Sequence, residues 1–288
     1  MKIACFVEAY NFEIKSEEKA LLKFKSTAET MGHSFEFIYK DDISRISDYD
    51  TLFIRATTDP SSCAYIISRL AEQYGLKVID DPHSIRTCSN KVILHDIFQK
   101  NNIPSPGSVL FYGDYSHEII GGIFKSLGCP VIIKTPYTRF SSHVEKASNI
   151  AEFIEISRHL LRKAKVLVVQ EYVRSDFDWR VGILRNEVIY LCKYYIPKGG
   201  WKVKSKINGK NVWGETIAVS RDTISPELKD LSINLSKHIG TGLYGLDVKE
   251  TNDGFKVIEI NDNPSIYDGF EDVIDNDIYE KIISELVS

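Results

Sequence analysis

The sequence contains no apolar run longer than a strand, so it predicts no membrane-spanning helix. Its opening residues, MKIACFVEAY, meet Glu8 too soon for the apolar core of a secretory signal. Cysteine is sparse and unpatterned. Cys5, Cys63, Cys88, Cys129 and Cys192 are odd in number and never form C-x-x-C. That argues against a disulfide framework and against a zinc site, and it points to a reducing, cytoplasmic setting. Neither sign of charge is in large excess. A net charge of −4 gives no global electrostatic reason to bind nucleic acid. No histidine has a telling neighbour, so Cys–His catalysis gains no support. Internal repeats and low-complexity segments are also missing. What is present is ordinary globular composition: 43% hydrophobic and 26% charged over 288 residues, enough for one large domain or two to three small ones.

In the first part of the chain, strands alternate with helices. Residues 2–8, 34–40, 51–56 and "LKVID" read as strands, with helices from Ser16, as its cap, to Met31 and from Ser61 to Tyr74. This pattern predicts a small parallel sheet with crossover helices, ending near Asp81. "CSNKVILHDIFQKNN" then reads as a helix. Further on, strands at 130–135, 166–173, 176–184, 187–196, 245–250 and 255–261 are separated mostly by turns. This part is expected to be α+β with an antiparallel-rich sheet. Helices are predicted at 116–127, 148–164 and 226–239, and the least ordered stretches at 136–144 and 197–213, the second carrying five lysines.

The stretch "VIEINDNPSI" holds the strongest chemical signal. Alternate strand residues share a face, so Glu259 and Asn261 point the same way. A three-residue loop at Asn252-Asp253-Gly254 pairs Thr251 with Phe255 and sets Asp247 opposite Glu259. Carboxylates about 5 Å apart repel unless a cation lies between them. Hard oxygens on an open sheet suit Mg²⁺, although a solvated acidic hairpin is the plainer alternative. In the hairpin 178–193, a turn at Arg185-Asn186 places Asp178 opposite Lys193 with Arg180 on the Asp178 side. The pair is either structural or part of a phosphate site. Lys134 at a strand end and Lys91 in a first helical turn suit an anion, or plain exposure. Chain at 170–173 can pair its backbone with an adenine edge. Arg55 lies at the carboxyl edge of the parallel sheet, where it can meet a ligand or form a salt bridge.

Together "DDPHSIRTCSNKVIL", "PVIIKTP", "VVQEYV", "DFDWRVGIL", "CKYYIPKGGWKV", "GLYGLDVKE" and "VIEINDNPSIYDGFED" resemble the ATP-grasp superfamily. The branch is the one related to the ribosomal-protein glutamate ligase RimK and to glutathione synthetase. The resemblance implies an α/β pre-ATP-grasp domain (1–81), a linker helix and lid subdomain (82–168), and a C-terminal nucleotide- and metal-binding subdomain (169–288). It implies a carboxylate–amine ligase that uses ATP and two Mg²⁺ ions, with Mn²⁺ able to substitute, through an acyl-phosphate. Lys91 and Lys134 would hold phosphates. Gln170, Glu171, Tyr172 and Val173 would read adenine, with Asp178 on the ribose side. Arg180 and Lys193 would stabilise the transferring phosphoryl group or the acyl-phosphate, and Asp247, Glu259 and Asn261 would bind metal. Arg55 hints at a carboxylate-bearing substrate. Family members carry a glycine-rich loop after the second lysine. Here it is "TRFSSHVEK", with Ser141 and Ser142 as candidate donors and His143 where a glycine is expected. The rival readings are a kinase acting on a hydroxyl and a non-catalytic nucleotide-binding regulator. The expected partners are small acids, amines or peptides, with no nucleic acid or membrane, and the resemblance implies a homo-oligomer, typical of such ligases.

Overall fold

The structure is a computed structural model that describes residues 1–137 and 143–288. Its first layer contains β1 (Lys2–Phe6), α1 (Lys15–Thr30), β2 (Ser34–Ile38), β3 (Thr51–Ile54), α2 (Cys63–Gln73) and β4 (Lys77–Ile79). The strands pair in parallel, as the alternating pattern predicts, and their order is β2-β1-β3-β4. Parallel neighbours require crossovers, so both faces are covered and the strands are apolar throughout. Ile3 to Phe6 and Leu52 to Ile54 are fully buried. Ser16 is not the cap of α1, which begins at Lys15 with Ile14 at the cap position and no side-chain cap bond. Glu17 and Glu18 in its first turn oppose the helix dipole instead.

Two short helices lead out of this layer. Asp81 caps α3 (Pro82–Cys88), accepting from the His83 and Ser84 amides at 2.9 and 3.0 Å. Asn90 caps α4 (Lys91–Lys100) by accepting from Val92 and Ile93, which fixes Lys91 at the first helical position. A second sheet follows, made of β5 (Ser108–Phe111), β6 (Val131–Lys134), β7 (Val144–Ala147) and β8 (Leu167–Glu171), with α5 (His117–Leu127) and α6 (Ile150–Leu161). It is antiparallel, in the order β5-β8-β6-β7. Phe111, Val131, Ile133, Ala147, Leu167 and Val169 bury one face against the helices. Strand alternation leaves Ser108, Ile132, Lys134, Val168 and Gln170 on the other. The boundary expected between 168 and 169 falls inside β8.

The third layer has β9 (Phe177–Leu184), β10 (Glu187–Tyr195), β11 (Lys204–Ile207), β12 (Lys210–Trp213), β13 (Thr216–Val219), α7 (Pro226–Lys237), β14 (Leu243–Thr251), β15 (Gly254–Asn261) and α8 (Ile278–Val287). Its main sheet runs β13-β10-β9-β14-β15, while β11 and β12 form a separate hairpin. One face packs Val181, Ile183, Leu191, Leu246 and Val248 with Leu94, Phe98, Leu228 and Leu235 of α4 and α7. The other packs Leu184, Tyr190, Cys192 and Leu243 in one core with Cys5, Val7 and Phe53 of the first layer. The mixed architecture, a parallel first sheet and antiparallel later ones, matches the α/β plus α+β expectation. Among the described residues no helix is long and apolar enough to cross a membrane.

Candidate active site

The site begins at the β14–β15 hairpin. Its turn is one residue shorter than expected: Thr251 pairs with Gly254, and Glu250, not Thr251, faces Phe255. Counting outward from that turn sets Asp247 opposite Ile258. A bulge intervenes between Val257 and Glu259 and restores Asp247 opposite Glu259 and Gly245 opposite Asn261. Two one-residue departures therefore cancel, and the two carboxylates meet on one face. The bulged Ile258 lines a cavity with Lys91, His95, Lys134, Val168 and Gln170.

Each of these carboxylates has a cation beside it. Arg180 donates from Nε and Nη2 to the two Asp247 oxygens at 2.7 and 3.1 Å. Lys91 Nζ lies 3.3 Å from Glu259 Oε2, and Lys249 bonds Asp178. Burial raises the Asp247 carboxyl, with Arg180 opposing. Burial alone would raise Glu259 too, but Lys91, Lys134 and Arg180 outweigh it and hold that group below the usual carboxylate range. Lys134 is 6% exposed and donates to Gln170 Oε1 at 2.7 Å. Its desolvation pulls the ammonium down to about 8 against the help of Glu259. Gly245 makes room for Arg180: a Cβ there would lie 3.2 Å from Arg180 Cδ and 2.6 Å from Pro264 Cβ.

The structure brings together Lys91, Lys134, Gln170, Asp178, Arg180, Asp247, Glu259 and Asn261. It does not bring Lys193 to them. A bulge between Val188 and Tyr190 shifts the β9–β10 register, so Lys193 faces Trp179 and Asp178 faces Tyr194. Lys193 therefore lies on the sheet face opposite Arg180, with Nζ 4.5 and 4.7 Å from the Phe177 and Trp179 ring centres. Arg55, 6% exposed, donates to Asn263 Oδ1 at 2.7 Å and to the Pro264 carbonyl at 3.0 Å. It clamps the loop that follows the acidic strand. Glu171 accepts from Lys256 at 2.9 Å and from the Gly107 amide at 3.1 Å. Gln170 donates to Ser108 Oγ and accepts from Lys134, so both ends of its amide are engaged. Tyr172 and Val173 follow β8, and the Tyr172 ring stands edge-on to Trp201 at 6.4 Å with Lys146 over both. Ser141 and Ser142 lie outside the described residues. His143 adopts φ +54°, the left-handed conformation suited to the glycine expected there. Sequence reasoning missed Lys249, although its place two residues after Asp247 puts it on the same strand face. It also missed Tyr194 and Glu271, which no local pattern marks.

Asp247, Glu259 and Asn261 form a hard-oxygen donor set of two carboxylates and one amide. Among the described residues no three His, Cys, Asp or Glu side chains converge as a closed metal cage. A set this open fits Mg²⁺, which keeps waters and shares itself with phosphates.

Two sheets facing each other across buried lysines and paired acids define an ATP-grasp ligase. Solved structures agree on the fold. D-alanine–D-alanine ligase from Bacillus anthracis matches with a TM-score of 0.75 at 14% identity, covering 100% of this chain and 96% of its own. An ATP-grasp RimK domain protein from Sphaerobacter thermophilus matches at 0.70 and 15%, covering all of both chains. The RimK-like ATP-grasp domain model matches residues 88–286, and the chain belongs to that family. Among curated relatives, the alpha-aminoadipate–LysW ligase LysX of Saccharolobus solfataricus is 29% identical over 86% of this chain and 89% of its own length. The tetrahydromethanopterin:alpha-L-glutamate ligase of Methanocaldococcus jannaschii is 23% identical over 95% and 92%.

Proposed function

We propose that this chain, an ATP-dependent carboxylate–amine ligase, joins an amino-acid-type acid or amine to its partner through an acyl-phosphate. The observation that carries the reading is the paired charge set between the sheets: Lys91 with Glu259, Arg180 with Asp247, Lys249 with Asp178, and the buried Lys134. Asp247, Glu259 and Asn261 would hold two Mg²⁺ ions, with Mn²⁺ able to replace them. When bound, such ions neutralise charge on the triphosphate.

The protein's own groups do the rest. Lys91 and Lys134 bind the phosphates. Backbone at Tyr172 and Val173 reads the adenine edge, and Asp178 with its Lys249 partner stands on the ribose side. The substrate carboxylate attacks the γ-phosphorus and ADP leaves. Arg180 meets the negative charge that develops on the transferring group as a preorganised donor. An amine then attacks the acyl carbon and inorganic phosphate departs. Little side-chain acid–base chemistry is needed, which agrees with a site built of lysines, arginine and paired acids. The names of the two curated relatives, which join glutamate or aminoadipate, support an amino-acid substrate.

The test is a phosphate-release screen of the purified protein with Mg-ATP against mixtures of amino acids and dipeptides, with products weighed by mass spectrometry. ADP, phosphate and a new amide in equal amounts are expected from at least one pair. Phosphate transferred to a hydroxyl, with no amide from any pair, overturns the reading.

A further inference from the structure

Tyr194 and Glu271 have no part in the ligation scheme, yet Tyr194 touches its arginine and Glu271 holds Tyr194. Tyr194 shares a strand face with Asp178, Arg180 and Asp247. The Arg180 guanidinium carbon lies 4.9 Å from its ring centre. The Tyr194 hydroxyl donates to Glu271 Oε1, and Glu271 Oε2 accepts from the Tyr267 amide at 2.8 Å. Glu271 is 3% exposed and belongs to the loop between β15 and α8. A buried carboxylate so fixed pins the hydroxyl, and the hydroxyl pins the ring.

We propose that Glu271 and Tyr194 are positioning residues for Arg180, acting in series. The proposal rests on the reading of Arg180 as the cation that meets the transferring phosphoryl group. Among the described residues Arg180 has two supports: the Asp247 carboxylate, to which it donates twice, and the Tyr194 ring, over which its guanidinium carbon lies. Asp247 is also a candidate metal ligand, so its bond to Arg180 is the one to be exchanged when the site fills. The ring contact does not depend on that exchange. It keeps the guanidinium plane in place when the carboxylate turns elsewhere, and a ring free to slide would not. Misplacement of a catalytic group by as little as about 1 Å costs rate steeply.

A simpler role is possible for Glu271 alone, as an anchor for the loop through Tyr267. Tyr194→Phe separates the two roles, because it leaves that anchor intact and keeps the ring. The direct readout is the arginine Nε–H region of the ¹⁵N–¹H spectrum, with the Arg180 signal identified by its loss in Arg180→Lys. Tyr194→Phe and Glu271→Leu are each expected to shift or broaden that signal, more so with MgADP bound, while MgADP affinity stays within about twofold. In the ligation assay each variant is expected to lower kcat about tenfold with KM for ATP nearly unchanged. The double variant should be no slower than either single one, because one chain is being cut twice. If Glu271→Leu does not fold, Tyr194→Phe alone carries the test. An Arg180 signal unmoved by Tyr194→Phe, or losses that multiply in the double variant, overturns the proposal. The spectrum needs no turnover, so it stands apart from any failure of the ligase reading.

Discussion

Replacing Lys134 with methionine tests whether its charge is buried for the sake of a ligand. The side chain is 6% exposed, and its ammonium titrates near 8 against an ordinary 10.5. That difference amounts to about 3 kcal/mol of destabilisation carried by the charged form. Methionine fills similar space without charge. It leaves Gln170 Oε1 without its present donor, which costs about 1–3 kcal/mol. At pH 7 the two effects roughly offset, so the ligand-free variant is expected to be about as stable as the wild type or more so. The pH dependence is the sharper readout. A lysine with a lowered folded pKa destabilises fully below that value, and the penalty fades as pH rises toward the unfolded value. Between pH 8 and about 10.5 the folded wild type binds fewer protons than the unfolded chain, so it gains on the variant by about 1.4 kcal/mol per pH unit. Urea denaturation of both proteins at pH 7, 8, 9 and 10 measures this. Binding must move the other way, because a charged lysine on a phosphate contributes about 1.5–3 kcal/mol. Calorimetry should show MgADP held roughly ten- to a hundredfold more weakly by the variant. A stability difference that stays flat from pH 7 to 10, or undiminished nucleotide affinity, refutes the reasoning.

Arg180 and Lys91 already neutralise the carboxylates, so Mn²⁺ alone should bind weakly and at least about tenfold more tightly with ADP present. Equal affinities by electron paramagnetic resonance titration would defeat that. Asp247→Asn and Glu259→Gln are each expected to abolish turnover, and full activity in either would remove it from the metal set. His143 sits at φ +54°, so His143→Val should unfold at lower denaturant than His143→Gly, by about 1–2 kcal/mol. Coincident midpoints would count against strain at that position. Asp262 is buried with an unpartnered Oδ2 and is pushed up to about 7, chiefly by burial. A raised carboxyl favours the fold at low pH and loses that contribution as pH climbs through about 7. Asp262→Asn should therefore raise the melting temperature more at pH 8 than at pH 5, and a uniform gain or a loss would contradict this.

The parallel first layer was legible because its apolar runs are cleanly punctuated by Gly32, Gly75 and Pro82. The acidic hairpin was legible because alternation places Glu259 and Asn261 on one face whatever the turn. Bulges were not legible. Neither Ile258 nor the kink near Ile189 carries a glycine or proline signal. One bulge happened to repair the predicted pairing of Asp247, and the other moved Lys193 off the site. The position of Arg55 at a sheet edge could be read, but its partners Asn263 and Pro264 lie some two hundred residues away in the chain. The final helix could have been read: Ile278, Tyr279, Ile282, Ile283 and Leu286 recur at helical spacing and all are buried.

Charge pairing in the cleft follows one rule with one departure. Lys91, Arg180 and Lys249 each face a carboxylate, so a phosphate or metal that enters exchanges partners with groups already compensated. Such exchange is cheap in desolvation, because the charges are never left alone in the low-dielectric seam. Lys134 instead bonds an amide, and Glu259, the acid that most favours its charge, is bridged to Lys91. Its charge is therefore the least compensated of the four, which is why burial lowers its pKa when Arg180, half-buried beside its carboxylate, keeps its proton firmly. A triphosphate beside it would supply the missing counter-charge, so the energy stored at Lys134 is recovered on binding, and nucleotide affinity should rest on that residue more than on the three already paired.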